Sequence, residues 1–176
     1  GINIINQCGS HLLTLINDIL DFSKIEAQKM EIYATDFHFP AFLQAVVEIC
    51  RIRADQKGID FIYTIEGKLP VGIFADEKRL RQVLINLLGN AIKFTEQGSV
   101  KFIITSKLLE DEVRALPLYR IRFQVEDTGI GIASEHVKNI FLPFEQSGTI
   151  KKQSEGTGLG LAISKKIVDM MGSRLE

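Results

Sequence analysis

Two clusters of glycine constrain the backbone of this chain more than any other feature of its sequence. The segment Asp127–Gly131 reads Asp-Thr-Gly-Ile-Gly and follows a strand-like pattern, and the glycine-rich segment Gly156–Gly160 runs directly into an apolar helical pattern. Glycines just before a helix let several backbone N–H groups face one anion, and the helix dipole favours negative charge there. The sequence therefore predicts that a nucleotide phosphate binds at the start of the last helix.

Hydrophobic periodicity predicts one long N-terminal helix followed by an α/β domain. Residues 2 to about 30 follow helical spacing, and neither Gly nor Pro interrupts Ser10–Met30. The apolar stripe of this helix needs a partner helix, so we expect a separate dimeric element at residues 1–32 and a second domain at residues 33–176. The further predicted elements are a strand at 35–39, a helix from Pro40 to about Lys57 that Gly58 ends, a strand at 60–66, a short apolar segment at 72–75, a helix at 77–94 capped by Asp76, strands at 99–108 and 118–126, and a helix at 159–171.

Strands with three interspersed helices predict a two-layer α/β sandwich. The intervening residues 128–156 lack periodicity, and a loop of that length inside a compact domain is usually functional.

Composition excludes several classes of function. A net charge of −1 gives no general attraction to nucleic acid or to an anionic membrane surface. No apolar run approaches the roughly 20 residues that cross a bilayer, and the first residues lack the basic start of a secretion signal. We therefore expect a cytoplasmic location without direct membrane contact, and the sequence leaves open whether a longer parent protein is anchored. Cys8 and Cys50 are too far apart to form a metal-binding pair, which favours reduced buried thiols.

Three polar side chains form a stripe beside the apolar face of the helix at 77–94. Asn86, Asn90 and Lys93 recur at i, i+4 and i+7. An amide oxygen is a hard neutral ligand that suits Mg²⁺, and a lysine can neutralise phosphate charge. A solvated polar face would explain each residue alone, but the three together, upstream of both glycine clusters, favour a metal and phosphate site.

The carboxylate of Asp127 is predicted to select adenine. It could accept a hydrogen bond from the exocyclic amine of adenine, and it would repel the carbonyl at the same position of guanine. Gly129 and Gly131 would let the base approach the backbone closely. The alternatives are an ordinary Asx turn at Asp127 and a flexible hinge at the second glycine cluster, since short glycine motifs are weak signals.

Taken in order, these segments resemble the catalytic and ATP-binding domain of two-component sensor histidine kinases. Residues 82–95 look like the N box of that family, 125–132 like the G1 box, 141–146 like the F box and 156–164 like the G2 box. Residues 11–26 resemble the second helix of the dimerisation and phosphotransfer hairpin. The resemblance spans nearly the whole chain, and four motifs in the family's order make it specific.

The resemblance implies the sandwich fold shared with DNA gyrase and MutL-type ATPases, with ATP and Mg²⁺ as cofactors. Asn90 would ligate Mg²⁺, Asn86 would support the phosphates or their water shell, and Lys93 would contact phosphate. Residues from about 132 to 155 would form a lid over ATP. The implied nucleotide contacts are Phe94 beside the nucleoside, Asp127, Gly129 and Gly131 at the adenine, and Gly156, Thr157, Gly158, Leu159 and Gly160 at the phosphates.

The activity implied by the resemblance is transfer of the ATP γ-phosphate to a histidine. The expected partners are a second copy, bound through the first helix, and the receiver domain of a response regulator. The family's phosphoacceptor motif, a His followed by Glu or Asp, Leu, Arg, Thr and Pro, is absent. Leu12 and Thr14 stand after His11 where an acid and Arg would be expected, so His11 is not expected to be the acceptor. The family also adds two more strands after the position of Glu176, so we expect the C-terminal strands to be missing from this piece.

Two other functions stay open on the sequence. One is a nucleotide-binding or dimerisation module without catalysis. The other is a gyrase-like ATPase, against which Asn86 argues because an amide cannot serve as the base that activates water.

Overall fold

A computed structural model of the chain describes residues 2–109, 117–145 and 157–176, and it describes no side chain for residues 2–8, 10 and 11. Helices and strands alternate along the chain, which confirms the predicted α/β class. The elements are α1 Ile2–Glu26, β1 Thr35–His38, α2 Phe39–Lys57, β2 Asp60–Glu66, β3 Gly72–Ala75, α3 Glu77–Phe94, β4 Ser99–Leu109, β5 Leu118–Asp127 and α4 Gly160–Met170.

Residues Tyr33–Gly131 form one compact unit in which helices cover a sheet. Its three-stranded sheet has the order β2-β4-β5, with β2 parallel and β5 antiparallel to the central β4. A separate antiparallel pair joins β1 to β3. Helices α2 and α3 pack against each other and against this three-stranded sheet, so the unit has the two layers that the sequence predicts.

The core of this unit lies between the helices and one face of β4. Val100, Phe102 and Ile104 are fully buried at alternate positions, while Lys101 between them is exposed. The Phe102 ring lies 6.3 Å from the Phe123 ring on β5. Burying a side chain of this size contributes about 1.5–3 kcal/mol, so this layer stabilises the packing of α2 and α3 on the sheet. The helices contribute Phe39, Leu43, Val46, Cys50, Ala54, Leu84 and Leu88.

Local side chains set both ends of α2. The Nδ1 atom of His38 accepts a hydrogen bond from the backbone N–H of Ala41 at 3.2 Å, and Pro40 lies in the first turn, where a missing N–H costs nothing. Gly58 ends the helix with φ +75°, a left-handed conformation that glycine adopts without strain. The helix therefore begins one residue before the predicted Pro40 and ends where the sequence predicts.

The second compact unit comprises Gly1–Ile32 and Ile132–Glu176, and in it α1 packs against α4. The periodic pattern continues to about residue 30, but α1 ends at Glu26. Gln28 adopts φ +55°, and the N–H of Lys29 donates to the carbonyl of Lys24 at 2.8 Å. This is the usual hydrogen-bond pattern of a helix that stops at a left-handed residue, here without glycine.

Several apolar side chains on α1 remain exposed in the single chain: Leu12, Leu13, Ile16, Ile19 and Leu20. Within the described parts of the chain, no helix is both long enough and apolar enough to span a bilayer. Residues 110–116, between β4 and β5, lie outside the described residues.

Candidate nucleotide-binding site

The start of α3 is fixed by Asp76, as the sequence predicts. This carboxylate is buried, and it accepts hydrogen bonds from the backbone N–H of Arg79 at 2.9 Å and of Tyr33 at 2.8 Å. An N-cap carboxylate of this kind satisfies an otherwise unpaired helix donor and interacts favourably with the helix dipole. The predicted apolar face of α3 then packs into the core through Val83, Leu84, Leu88 and Ala91.

The predicted polar stripe lies along the edge of that buried face. Asn86, Asn90 and Lys93 are each partly buried, and Asn86 and Lys93 make polar contacts of their own. The ammonium group of Lys93 lies 5.1 Å from the centre of the Phe94 ring. Among the described residues, no hydrogen bond engages the side-chain amide of Asn90, so its oxygen can serve as a ligand.

A lysine from α2 holds the C-terminal end of α3. The Nζ of Lys57 donates to the carbonyl of Ile92 at 3.0 Å and to that of Lys93, two of the carbonyls that a helix end leaves unpaired. A cation at this end also interacts favourably with the helix dipole. The hydroxyl of the buried Thr95 donates to the carbonyl of Ala91 at 2.8 Å. The sequence alone does not reveal this role of Lys57, because the carbonyls that it binds lie 35 and 36 positions away.

The turn after β5 packs directly against this helix end. The Oδ1 of Asp127 accepts a hydrogen bond from the N–H of Gly129 at 2.9 Å, and the N–H of Ile130 donates to the carbonyl of Phe94 at 3.4 Å. A Cβ on Gly129 would lie 2.4 Å from that carbonyl oxygen, a distance that no side chain tolerates. The structure therefore brings Asp127 to the end of α3 that carries Lys93 and Phe94.

This geometry includes the Asx turn that was the alternative for Asp127. The turn uses one oxygen of an exposed carboxylate, and the second oxygen keeps its capacity to accept a hydrogen bond. The two interpretations are therefore compatible, because the turn orients the carboxylate and leaves it able to bind a donor. Gly131 adopts φ +69° with open space around it, so its conformation, not crowding, requires glycine there.

Thr128 connects the same turn to β4. Its Oγ1 accepts from the N–H of Ser99 at 3.0 Å and donates to the carbonyl of Gln97 at 3.2 Å. A Cβ on Gly98, which has φ +105°, would lie 2.2 Å from this oxygen. Thr128 is thus a structural residue of the site that the sequence analysis quoted but left without a role, since no local spacing signals a contact between positions 98 and 128.

The second glycine cluster belongs to the other compact unit, which comprises Gly1–Ile32 and Ile132–Glu176. Gly158 adopts φ +69°, a left-handed conformation that strains other residues, and a Cβ there would crowd the backbone of Phe144 at 3.0 Å. The N–H of Phe144 donates to the carbonyl of Gly158 at 3.0 Å. Leu159 is buried and precedes α4, which begins at Gly160. Gly156 lies outside the described residues.

Thr157 links this glycine-rich segment to α1. Its Oγ1 accepts a hydrogen bond from the N–H of Leu159 at 3.0 Å, and its hydroxyl donates to the Oδ2 of Asp18, also at 3.0 Å. Burial raises the pKa of the Asp18 carboxyl, the Thr157 hydrogen bond lowers it, and the charge of Asp21 raises it further. No local spacing in the sequence indicates this contact, because 139 positions separate Asp18 from Thr157.

Comparison with known proteins identifies the family of this chain. The family described as histidine kinase-, DNA gyrase B-, and HSP90-like ATPase matches residues 75–176. Hybrid signal transduction histidine kinase B of Dictyostelium discoideum is 45% identical over 99% of this chain and 9% of its own length. The signal transduction histidine-protein kinase BarA of Escherichia coli is 36% identical over 99% of this chain and 19% of its own length. The chain thus spans about a tenth to a fifth of these relatives.

Solved structures give the same result. The structure of full-length ShkA in complex with AMPPNP is 36% identical to this chain, with a TM-score of 0.75. The match covers 97% of this chain and 33% of the ShkA chain. The structure of the histidine kinase ThkA in complex with the response regulator TrrA is 29% identical, with a TM-score of 0.63. The match covers 98% of this chain and 44% of the chain in that structure. This chain belongs to the family of histidine kinase-, DNA gyrase B- and HSP90-like ATPases. Within that family it carries the ATP-binding catalytic domain of a sensor histidine kinase, which confirms the resemblance seen in the sequence.

Proposed function

We propose that this chain is the catalytic core of a protein-histidine kinase, which transfers the γ-phosphate of ATP to a histidine on a dimerisation hairpin. One observation carries the proposal. Gly129 packs against the carbonyl of Phe94, and this contact places the Asp127 carboxylate at the end of the helix that carries the polar stripe. A hydrogen-bond acceptor for the base and groups suited to phosphate and metal therefore belong to the same end of α3.

Adenine recognition is assigned to the turn after β5. Asp127 would accept a hydrogen bond from the exocyclic amine, Gly129 and Gly131 would leave room for the base, and Phe94 would lie beside the nucleoside. The Asx turn supports this role because it fixes one carboxylate oxygen before the ligand arrives, which lowers the entropic cost of binding.

Phosphate and metal binding are assigned to the stripe on α3 and to the segment before α4. No group of three or more His, Cys, Asp or Glu side chains among the described residues could hold a metal by itself. The amide oxygen of Asn90 as a single protein ligand fits Mg²⁺, because this ion takes most of its ligands from phosphates and water. Bound Mg²⁺ would neutralise developing charge on the phosphates. The phosphate oxygens would be held by Lys93 and by the glycine-rich segment before α4. In that segment the contacts would come from the N–H groups of Gly158, Leu159 and Gly160 and from the residues that precede them, Gly156 and Thr157.

The reaction is a direct phosphoryl transfer. The lone pair of an imidazole nitrogen attacks the γ-phosphorus, the P–O bond to the β-phosphate breaks, ADP leaves with that electron pair, and the imidazole releases its N–H proton. Positioning and charge neutralisation supply the rate. Asn86, placed where gyrase-type ATPases carry a glutamate, would support the phosphates or their water shell and cannot activate water as a base.

The partners follow from the exposed face of α1 and from the relatives. The apolar side chains that α1 leaves exposed fit a second copy of the same helix in a homodimer. The ThkA complex with TrrA supports a response-regulator receiver domain as the next phosphate acceptor. Use of ATP and the unpaired, buried Cys50 both fit a cytoplasmic location.

The proposal is tested by supplying the acceptor. The chain is incubated with labelled Mg·ATP and a separate dimerisation hairpin that carries the acceptor histidine, beside the same hairpin with that histidine changed to Gln. We expect acid-labile phosphate on the histidine hairpin alone and none on this chain. Steady phosphate release without any hairpin would identify an ATPase instead, and ATP binding without transfer would identify a non-catalytic module.

A further inference from the structure

Two contacts join one face of α1 to the residues around the phosphate-binding segment. The hydroxyl of Thr157 donates to the carboxylate of Asp18 at 3.0 Å, and the ring of Phe22 meets the ring of Phe144 edge to face at 5.8 Å. Asp18 and Phe22 are four residues apart, so they lie above one another on the same side of the helix. A single face of α1 therefore holds both Thr157 and Phe144.

The first contact engages an amide to which the proposed function assigns phosphate. The N–H of Leu159 donates to the Oγ1 of Thr157, whose own proton is given to Asp18. Hydrogen bonds in such a chain strengthen one another, so Asp18 makes Thr157 a better acceptor for that amide. The carboxylate of Asp18 also places a negative charge next to Thr157, in the segment that is proposed to bind the phosphate oxygens. This arrangement is unfavourable for phosphate.

The second contact holds a strained backbone. Phe144 adopts φ +64°, which is rare for any residue other than glycine and which costs conformational energy. Its N–H donates to the carbonyl of Gly158 at 3.0 Å, and its ring packs on Phe22. Strain that neighbouring contacts hold in place is typical of segments that change conformation, because breaking the contacts releases it.

We propose that Asp18 is a positioning residue that, with Phe22, latches the phosphate-binding segment onto α1 in an arrangement that ATP must open. The inference rests on the proposed function, and it adds a coupling between α1 and the nucleotide. Because such coupling is reciprocal, bound ATP weakens the hold of α1 on this segment to the same extent as the latch weakens ATP binding.

The test compares affinities for Mg·ATP, by calorimetric titration, with affinities for adenosine, by NMR titration, on the whole 176-residue chain. The variants are Asp18→Ala and Glu26→Ala, which removes a similar charge from an exposed position on the same helix. Loss of one charge-assisted hydrogen bond should tighten ATP binding about tenfold or more in Asp18→Ala. Adenosine affinity should not change in either variant, since adenosine has no phosphate, and Glu26→Ala should bind ATP like the wild type.

Two further variants keep the test decisive. Asp18→Asn preserves the shape of the side chain and decides the question if Asp18→Ala does not fold; it should bind ATP about twofold to threefold more tightly, because only the charge is lost. Phe22→Leu removes the ring contact and should shift affinity in the same direction. Unchanged or weaker ATP binding in the Asp18 variants, or an equal gain for adenosine, overturns the latch and leaves the kinase proposal standing. A wild-type chain that binds no ATP overturns both.

Discussion

Replacing Gly129 by alanine tests the contact on which the site depends. The added Cβ would lie 2.4 Å from the Phe94 carbonyl oxygen and 2.8 Å from Asp127 Oδ1, whereas ordinary contacts begin at 3.4 Å. The turn must therefore move by about 1 Å from the end of α3, which disturbs the hydrogen bonds that orient the Asp127 carboxylate. Overpacking of this kind costs about 1–3 kcal/mol of stability.

We expect Gly129→Ala to weaken Mg·ATP binding by about 10- to 100-fold, since a misplaced charged hydrogen bond loses about 1.5–3 kcal/mol. Calorimetric titration measures the affinity, and urea unfolding measures the stability. Gly89→Ala on α3 is the matched control, because its Cβ would meet only the guanidinium of Arg53 at an ordinary 3.5 Å. That control should gain about 0.5–1 kcal/mol of stability and keep its affinity. ATP binding by Gly129→Ala within twofold of the wild type would refute the reasoning.

Three further predictions concern stability. Lys57→Met removes the donor that pairs with the last carbonyls of α3 and should cost about 1–2 kcal/mol in urea unfolding, with partial recovery in Lys57→Arg; an unchanged midpoint would contradict it. Burial raises the pKa of the Cys50 thiol from 9.0 to about 11, so the folded chain keeps this proton to higher pH than the unfolded chain. Stability should therefore fall by at most about 3 kcal/mol between pH 9 and 11, and a fall of the same size in Cys50→Ala would rule out this thiol as the cause. Phe102→Ala empties a fully buried position and should cost about 3–5 kcal/mol in the same assay, whereas a loss below 1 kcal/mol would contradict the described core.

The parts of the fold that local chemistry specifies could be predicted from the sequence. Asp76 caps α3 because a carboxylate at that position can reach the first free N–H groups of the helix. Gly58 ends α2 because glycine adopts a left-handed conformation without strain. Strand β2 has the predicted bounds because its aromatic and β-branched side chains favour the pleated surface of a sheet.

The end of α1 shows where such local signals fail. The apolar spacing continues past residue 26, yet the helix stops with Gln28 in a left-handed conformation that its side chain does not favour. Ile25 is buried before this turn and Met30 is buried after it. Tertiary packing of these apolar side chains therefore overrides the helical pattern.

The contacts that complete the site could not be predicted, because they join positions far apart in the chain. Lys57 meets the carbonyls of residues 92 and 93 only after α2 and α3 have packed together. Thr128 fits beside Gly98 only once β4 and β5 are paired. Thr157 reaches Asp18 across almost the whole sequence. Short motifs gave the residue types of the site, while folding alone determines which side chains orient them.

The most direct test of the central claim is the choice between two nucleotides. Affinities for Mg·ATP and Mg·GTP are measured by calorimetric titration for the wild-type chain and for Asp127→Asn. If Asp127 accepts a hydrogen bond from adenine, the wild type should prefer ATP by at least about tenfold, and the asparagine amide, which can donate to the guanine carbonyl, should reduce that preference by about tenfold or more. Equal affinities in the wild type, or the same preference in both proteins, would contradict the account.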